Sequence, residues 1–183
     1  MQPLMFEGWQ DYFLLIGSAA AALIGLLFVV ATLTVGRELD MIERGQKLYM
    51  TPIVFHLGGI VLLSGAAMSP VATPELYALA SGAIALIGVL SCLRIAHGIR
   101  TGPLGPTSDY DMVWYGIIPA LAYLLLLGAS GLLALRPSEL TLAAVAAILM
   151  AQLLISIHSA WDLVTYLAPR SQDSGRPHDK NDR

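Results

Sequence analysis

Residues 12–35 read Tyr-Phe-Leu-Leu-Ile-Gly-Ser-Ala-Ala-Ala-Ala-Leu-Ile-Gly-Leu-Leu-Phe-Val-Val-Ala-Thr-Leu-Thr-Val, a run of 24 residues without a charged side chain. As a helix that rises about 1.5 Å per residue, this run is long enough to cross a hydrocarbon core of roughly 30 Å. Gly17, Ala21 and Gly25 recur at every fourth position, so one helix face carries almost no side chain. The stretch therefore predicts a membrane span with a helix-packing face that a second helix can approach closely.

The composition of the whole chain extends this prediction. Of its 183 residues, 56% are hydrophobic and 13% are charged, about half the charged fraction of a soluble domain. The charges are gathered between long apolar segments, as in membrane proteins. We predict an all-α integral membrane bundle of five transmembrane helices within residues 1–168, followed by a disordered cytoplasmic tail at 169–183. The predicted spans cover residues 12–35, 51–68, 76–99, 112–135 and 140–167.

Basic residues predict the orientation of the bundle. With five spans, three lie in the first loop, two at the third loop and four in the tail, so nine of the ten share one side. Arg136 alone lies opposite. The positive-inside rule then places the N-terminus outside and the C-terminus in the cytoplasm. The aromatic residues near the predicted span ends also predict an interfacial belt: Trp9, Tyr12, Tyr49, Tyr77, Trp114, Tyr115, Trp161 and Tyr166.

A shift of 64 residues aligns the second and third spans with the fourth and fifth. The alignment pairs Glu75-Leu76 with Glu139-Leu140 at the two outer turns. Other identities are between Leu, Ala and Ile, which recur by chance in membrane helices. Two architectures stay open: a bundle without repeats, or one helix followed by two tandem parallel helical hairpins.

Five charged or titratable side chains fall in the predicted cytoplasmic leaflet: His56, Arg94, His97, His158 and Asp162. Such groups are costly at membrane depth and often mark functional sites. One interpretation is a polar pocket that binds a metal or an anionic headgroup or moves protons. The other is a structural ion pair between Asp162 and either Arg94 or His158. Arg94 lies at the same predicted depth as Asp162, and His158 lies on the same helix face. We expect Arg94 to be the partner because its charge is permanent.

Several functional classes find no support in the sequence. There is no HExxH, GxSxG, GxGxxG or P-loop pattern, and Cys92 is the single cysteine, so an intrachain disulfide is excluded. Two histidines on different helices fall short of the three or four ligands of a metal site. We therefore predict no catalytic residue, no metal, no cofactor and no nucleic-acid partner. Gln152 is the one strongly polar side chain near the middle of a predicted span.

Two segments suggest a relationship. Residues 15–29, Leu-Ile-Gly-Ser-Ala-Ala-Ala-Ala-Leu-Ile-Gly-Leu-Leu-Phe-Val, resemble the opening span of small, uncharacterised bacterial inner-membrane proteins. Residues 158–163, His-Ser-Ala-Trp-Asp-Leu, are similar to the end of the same sort of protein. The resemblance covers two of the five predicted helices. It implies a location in the bacterial inner (plasma) membrane and no defined activity.

Three functions remain, and the lipid bilayer is a partner in each. The first is a non-enzymatic protein that works through helix–helix assembly, as a homo-oligomer or a small subunit of a membrane complex. The second is an oligomeric channel for a small solute or ion. The third is an interfacial enzyme or ligand-binding protein that uses the His/Arg/Asp cluster. We favour the first, because a pore needs polar residues along a whole helix face. Helix–helix assembly is supported by three helix faces of small residues: Gly17/Ala21/Gly25, Ala78/Gly82 and Ala143/Ala147/Ala151.

Overall fold

The computed structural model describes residues 5–34, 51–101 and 113–167. These residues form helices and short turns and include no strand, which confirms the all-α prediction. The predicted tail at 169–183 lies outside the described residues. The elements in chain order are a 3₁₀ turn Glu7–Trp9, α1 Gln10–Thr34, α2 Thr51–Ala67, α3 Pro74–Thr101, a π-helical turn Val113–Ile117 that continues into α4 Ile118–Leu135, and α5 Glu139–Leu167.

Side-chain caps fix where two of the helices begin. The hydroxyl of Thr73 accepts a hydrogen bond from the Leu76 N–H at 3.3 Å, and Pro74 occupies the first helical position of α3. The Ser138 hydroxyl accepts a hydrogen bond from the Thr141 N–H at 3.2 Å and caps α5 in the same way. Each cap satisfies a backbone donor that has no partner inside its own helix.

Four helical segments are long and apolar enough to cross a membrane: Glu7–Thr32, Pro74–Arg94, Val113–Leu135 and Glu139–Thr165. They are consistent with a multi-pass membrane protein. The fifth predicted span, 51–68, is not supported as a full-length crossing. Its helix, α2, has 17 residues and measures about 26 Å, shorter than a hydrocarbon core of roughly 30 Å. The helix stops at Ala67 because the chain turns there, through Met68 to Pro70.

Contacts near Glu7–Trp9 bring the starts of α1, α3 and α5 to one end of the bundle, here called the first end. The Phe6 and Tyr77 rings meet edge to face with their centroids 5.3 Å apart. The indole N–H of Trp9 donates to a carboxylate oxygen of Glu139 at 2.9 Å. The helices α1, α3 and α5 therefore run parallel.

The other two helices run in the opposite direction. Gly17, near the start of α1, faces Ser64, near the end of α2. At the second end, the ring of Trp114 before α4 lies 4.0 Å from that of His158 near the end of α5. The helices α2 and α4 therefore run antiparallel to α1, α3 and α5.

Helix packing does not follow the two predicted hairpins. The most extensive contacts are between α3 and α4 and between α1 and α2, both across a hairpin boundary. A hydrogen bond of 2.7 Å between Ser81 and Ser130 joins α3 to α4 inside the bundle. The helix α5 packs on α4, α2 and α1, and its Ala146 carbonyl accepts a hydrogen bond from the Tyr12 hydroxyl at 2.9 Å.

The aromatic residues form the predicted belt only in part. Trp161 is 68% exposed and is placed as a belt residue would be. Tyr77 is buried, because its ring packs edge-on against Phe6 and Phe13 in the core. Tyr115 is buried as well. The side chains of Tyr49 and Tyr166 lie outside the described residues.

Candidate functional site

Three polar side chains meet in the apolar interior: His56 from α2, Tyr123 from α4 and Gln152 from α5. Their exposed fractions are 4%, 2% and 3%. The Nδ1 atom of His56 and the hydroxyl oxygen of Tyr123 are 2.7 Å apart and share a hydrogen bond. We call these three residues the buried polar site. Polar groups at such depth are retained at a cost in a membrane protein, which makes this the foremost functional candidate in the fold.

A glycine on α3 makes room for the tyrosine of this site. A Cβ atom added to Gly88 would lie 2.5 Å from two atoms of the Tyr123 ring. Real Cβ atoms do not approach a ring so closely. The absent side chain of Gly88 therefore lets the ring lie flat against the α3 backbone and reach His56.

Gln152 has no hydrogen-bond partner at either end of its amide. The amide nitrogen and the amide oxygen are both buried without a partner among the described residues. A cavity of about 10 Å³ lies beside the amide, which is room for roughly one water molecule. Apart from the buried polar site, its lining is apolar or small: Gly59, Ile60, Leu63, Ile84, Ala122, Leu126, Ile148 and Leu149.

The five residues of the predicted cytoplasmic cluster do not form one pocket. His56 belongs to the buried polar site, whereas Arg94 and His97 are exposed on α3. His158 and Asp162 are partly exposed on α5.

His158 is the observed ion-pair partner of Asp162. The His158 Nε2 atom lies 3.5 Å from a carboxylate oxygen of Asp162, one helical turn away, and the Trp114 ring covers the imidazole. No ion pair between Arg94 and Asp162 occurs among the described residues, so the expected pairing is wrong within them. The reason is the helix arrangement. Both α3 and α5 pack on α4, and they make few contacts with each other. An exposed pair of this kind adds little stability.

The described residues contain no group of three or more His, Cys, Asp or Glu side chains that could hold a metal ion. Cys92 is a free, buried thiol.

The small-residue face of α1 is partly packed inside the bundle and partly exposed. Gly17 faces inwards, where an added Cβ would lie 2.8 Å from the Ser64 Cβ. Ala21 and Gly25 are exposed, and no described atom lies within 4 Å of a Cβ added at Gly25. Close packing within the chain therefore involves Gly17 alone among the three.

The two other small-residue faces differ from each other. Ala78 is buried, and a Cβ added at Gly82 would contact Ser130, so this face packs on α4. Ala143 is half-buried, whereas Ala147 and Ala151 are exposed on α5.

No family model, curated protein or solved structure matches the chain. Function is therefore inferred from the geometry of the chain itself.

Tyr123 is the site residue that sequence reasoning missed. Aromatic side chains were expected at the span ends, and Tyr123 lies in the middle of α4. The available signal was its depth, because a tyrosine hydroxyl far from both ends of an apolar helix needs a partner inside the protein.

Proposed function

We propose that the protein is a non-enzymatic, multi-pass protein of the bacterial inner membrane that works by assembling with further copies of itself. The proposal is carried by one surface of α1 that no other part of the described chain covers.

This surface, the α1 seam, consists of Leu15, Ser18, Ala22, Gly25 and Val29, all of them exposed. Their spacing alternates between three and four residues, which keeps them in one line along a helix. The three central members are small. A second helix can therefore approach the α1 backbone closely at the middle of the seam.

The lipid environment explains why small residues matter for assembly. Lipid tails are as apolar as leucine, so burial of apolar area does not drive two membrane helices together. Close van der Waals packing does, and small residues permit it. A seam without charges contains no like charges that would repel its own copy, so two seams can pack against each other in a homo-oligomer.

The proposal includes five crossings with the first end outside and the second end in the cytoplasm. Support comes from the parallel direction of α1, α3 and α5, which requires α2 to return the chain between α1 and α3. The basic residues supply the orientation, with nine of ten on the proposed cytoplasmic side. A reporter fused after Arg183 should be active in the cytoplasm, and one inserted at Ala72 outside. The opposite result at either position would exclude this topology.

Cysteine cross-linking in native membranes tests the assembly. In a Cys92→Ala background, Ser18→Cys and Ala22→Cys should each form an oxidised species of twice the 19.5 kDa protomer. Leu124→Cys is the matched control, since Leu124 is exposed in the same way on α4. Equal cross-linking at Leu124, or none at the seam, would contradict the homo-oligomer. A seam adduct of another mass would identify a different subunit as the partner.

A further inference from the structure

The buried amide of Gln152 has unsatisfied hydrogen-bonding groups within the described residues. It offers two donor hydrogens and an acceptor oxygen, yet neither heavy atom has a partner among the described residues. Leaving a buried polar group without a partner costs about 1–3 kcal/mol. Buried water commonly satisfies such groups in proteins.

The cavity beside this amide has the size that a water molecule needs. Its volume of about 10 Å³ corresponds to roughly one water molecule and excludes organic ligands. Buried waters typically make two to four hydrogen bonds. Gln152, His56 and Tyr123 are the three polar residues among those that line this cavity.

The hydrogen bond between His56 and Tyr123 still leaves polar groups at the cavity that a bound water molecule could contact. The imidazole of His56 contacts Tyr123 through Nδ1, and its second ring nitrogen, Nε2, is chemically able to make one further hydrogen bond. The Gln152 amide interacts with the nearby Tyr123 hydroxyl, but neither of its two polar atoms makes a hydrogen bond of good geometry within the described residues. A single bridging molecule would therefore link groups that do not reach each other directly.

We propose that this cavity is a binding site for one water molecule, which bridges the Gln152 amide and the His56 imidazole. With the water in place, a continuous hydrogen-bonded chain runs from α5 through the water to α2 and on to Tyr123 of α4. Three helices are thereby held at one relative rotation by directional bonds, in a bundle whose other interior contacts are mostly apolar.

The decisive experiment is an experimental structure of the full chain in lipid at a resolution that shows ordered water. We expect density for one water molecule within about 2.7–3.2 Å of the Gln152 amide. An empty cavity in the wild-type protein would overturn the proposal, whatever the variants do.

A variant supplies the energetic test. Gln152→Met keeps the length of the side chain and removes the amide. If the wild-type cavity holds water, the variant removes the hydrogen bonds between the amide and this water. Its melting temperature should then be lower than that of the control by about 2–4 °C. Leu153→Met is that control, because it places methionine at the next, equally buried position of α5.

The alternative predicts the opposite sign. In a dry cavity, Gln152→Met removes two polar atoms without partners and should raise the melting temperature. An unchanged or higher melting temperature than that of Leu153→Met would therefore overturn the proposal. Should Gln152→Met fail to fold, the wild-type structure alone decides.

Discussion

The imidazole of His56 and the hydroxyl of Tyr123 join α2 to α4 through a hydrogen bond of 2.7 Å in the interior of the bundle. Their rings lie 5.3 Å apart, so packing and hydrogen bonding hold the same pair together. Both side chains are buried. Loss of either partner therefore leaves the other without bulk water to replace it.

Tyr123→Phe should destabilise the protein by about 1–2 kcal/mol, because it leaves Nδ1 of His56 without its partner. Unfolding in mild detergent measures the effect. Tyr77→Phe is the control: the Tyr77 hydroxyl is buried too, but it has no hydrogen-bond partner among the described residues. Equal losses from both substitutions would show that the bond to His56 adds nothing specific.

Gly88→Ala should destabilise the protein by about 1–3 kcal/mol, the usual cost of overpacking an interior. The new methyl group would lie 2.5 Å from atoms of the Tyr123 ring and force the ring away from α3. Gly128→Ala on α4 is the matched control, since no described atom lies within 4 Å of its added Cβ. Thermal unfolding of the two variants compares them directly. A harmless Gly88→Ala would mean that the ring can shift freely.

Gly17 and Gly25 should separate folding from assembly. Gly17→Ala places a methyl group 2.8 Å from the Ser64 Cβ and should lower the melting temperature of the protein. No described atom lies within 4 Å of a Cβ added at Gly25, so Gly25→Leu should leave the melting temperature of the protomer unchanged. Because it fills the middle of the α1 seam, it should reduce the oligomer fraction in mild detergent. The idea fails if Gly25→Leu unfolds the protomer or preserves the oligomer.

Asp162→Asn should couple to substitution of His158 and not to that of Arg94. Double-mutant cycles on unfolding free energy measure both couplings. We expect a coupling of about 0.2–1 kcal/mol between His158→Gln and Asp162→Asn, the range for exposed ion pairs. Arg94→Gln and Asp162→Asn should be additive, and strong coupling between them would restore the pairing first expected.

Helix positions were predictable from sequence because each depends on local features. Long apolar runs placed the helix ends within about two residues of the observed ones, at α1, α2, α3 and α5. The cap at Ser138 was predictable for the same reason, since a serine before a helical run acts within its own turn.

The rotation of each helix was not predictable, because it depends on partners far along the chain. Gly17 and Gly25 form one stripe in the sequence, but the fold turns one towards Ser64 and the other outwards. Arg94 and Asp162 lie at matching predicted depths, but depth alone does not reveal which helix stands between them. The same limit hid the pairing of His56 with Tyr123.

The shortness of α2 has a consequence for how the protein is made. Alone in lipid, an apolar helix of 17 residues would be mismatched with the bilayer, which would have to thin around it. In the bundle, α2 packs on α1, α3 and α5, so these helices surround part of its surface in place of lipid. In the proposed topology of five crossings, the stability of α2 in the membrane would depend on its neighbours, and during synthesis α1 is the neighbour already present. Insertion of α2 should therefore be cooperative with that of α1, as a helical pair entering the bilayer together.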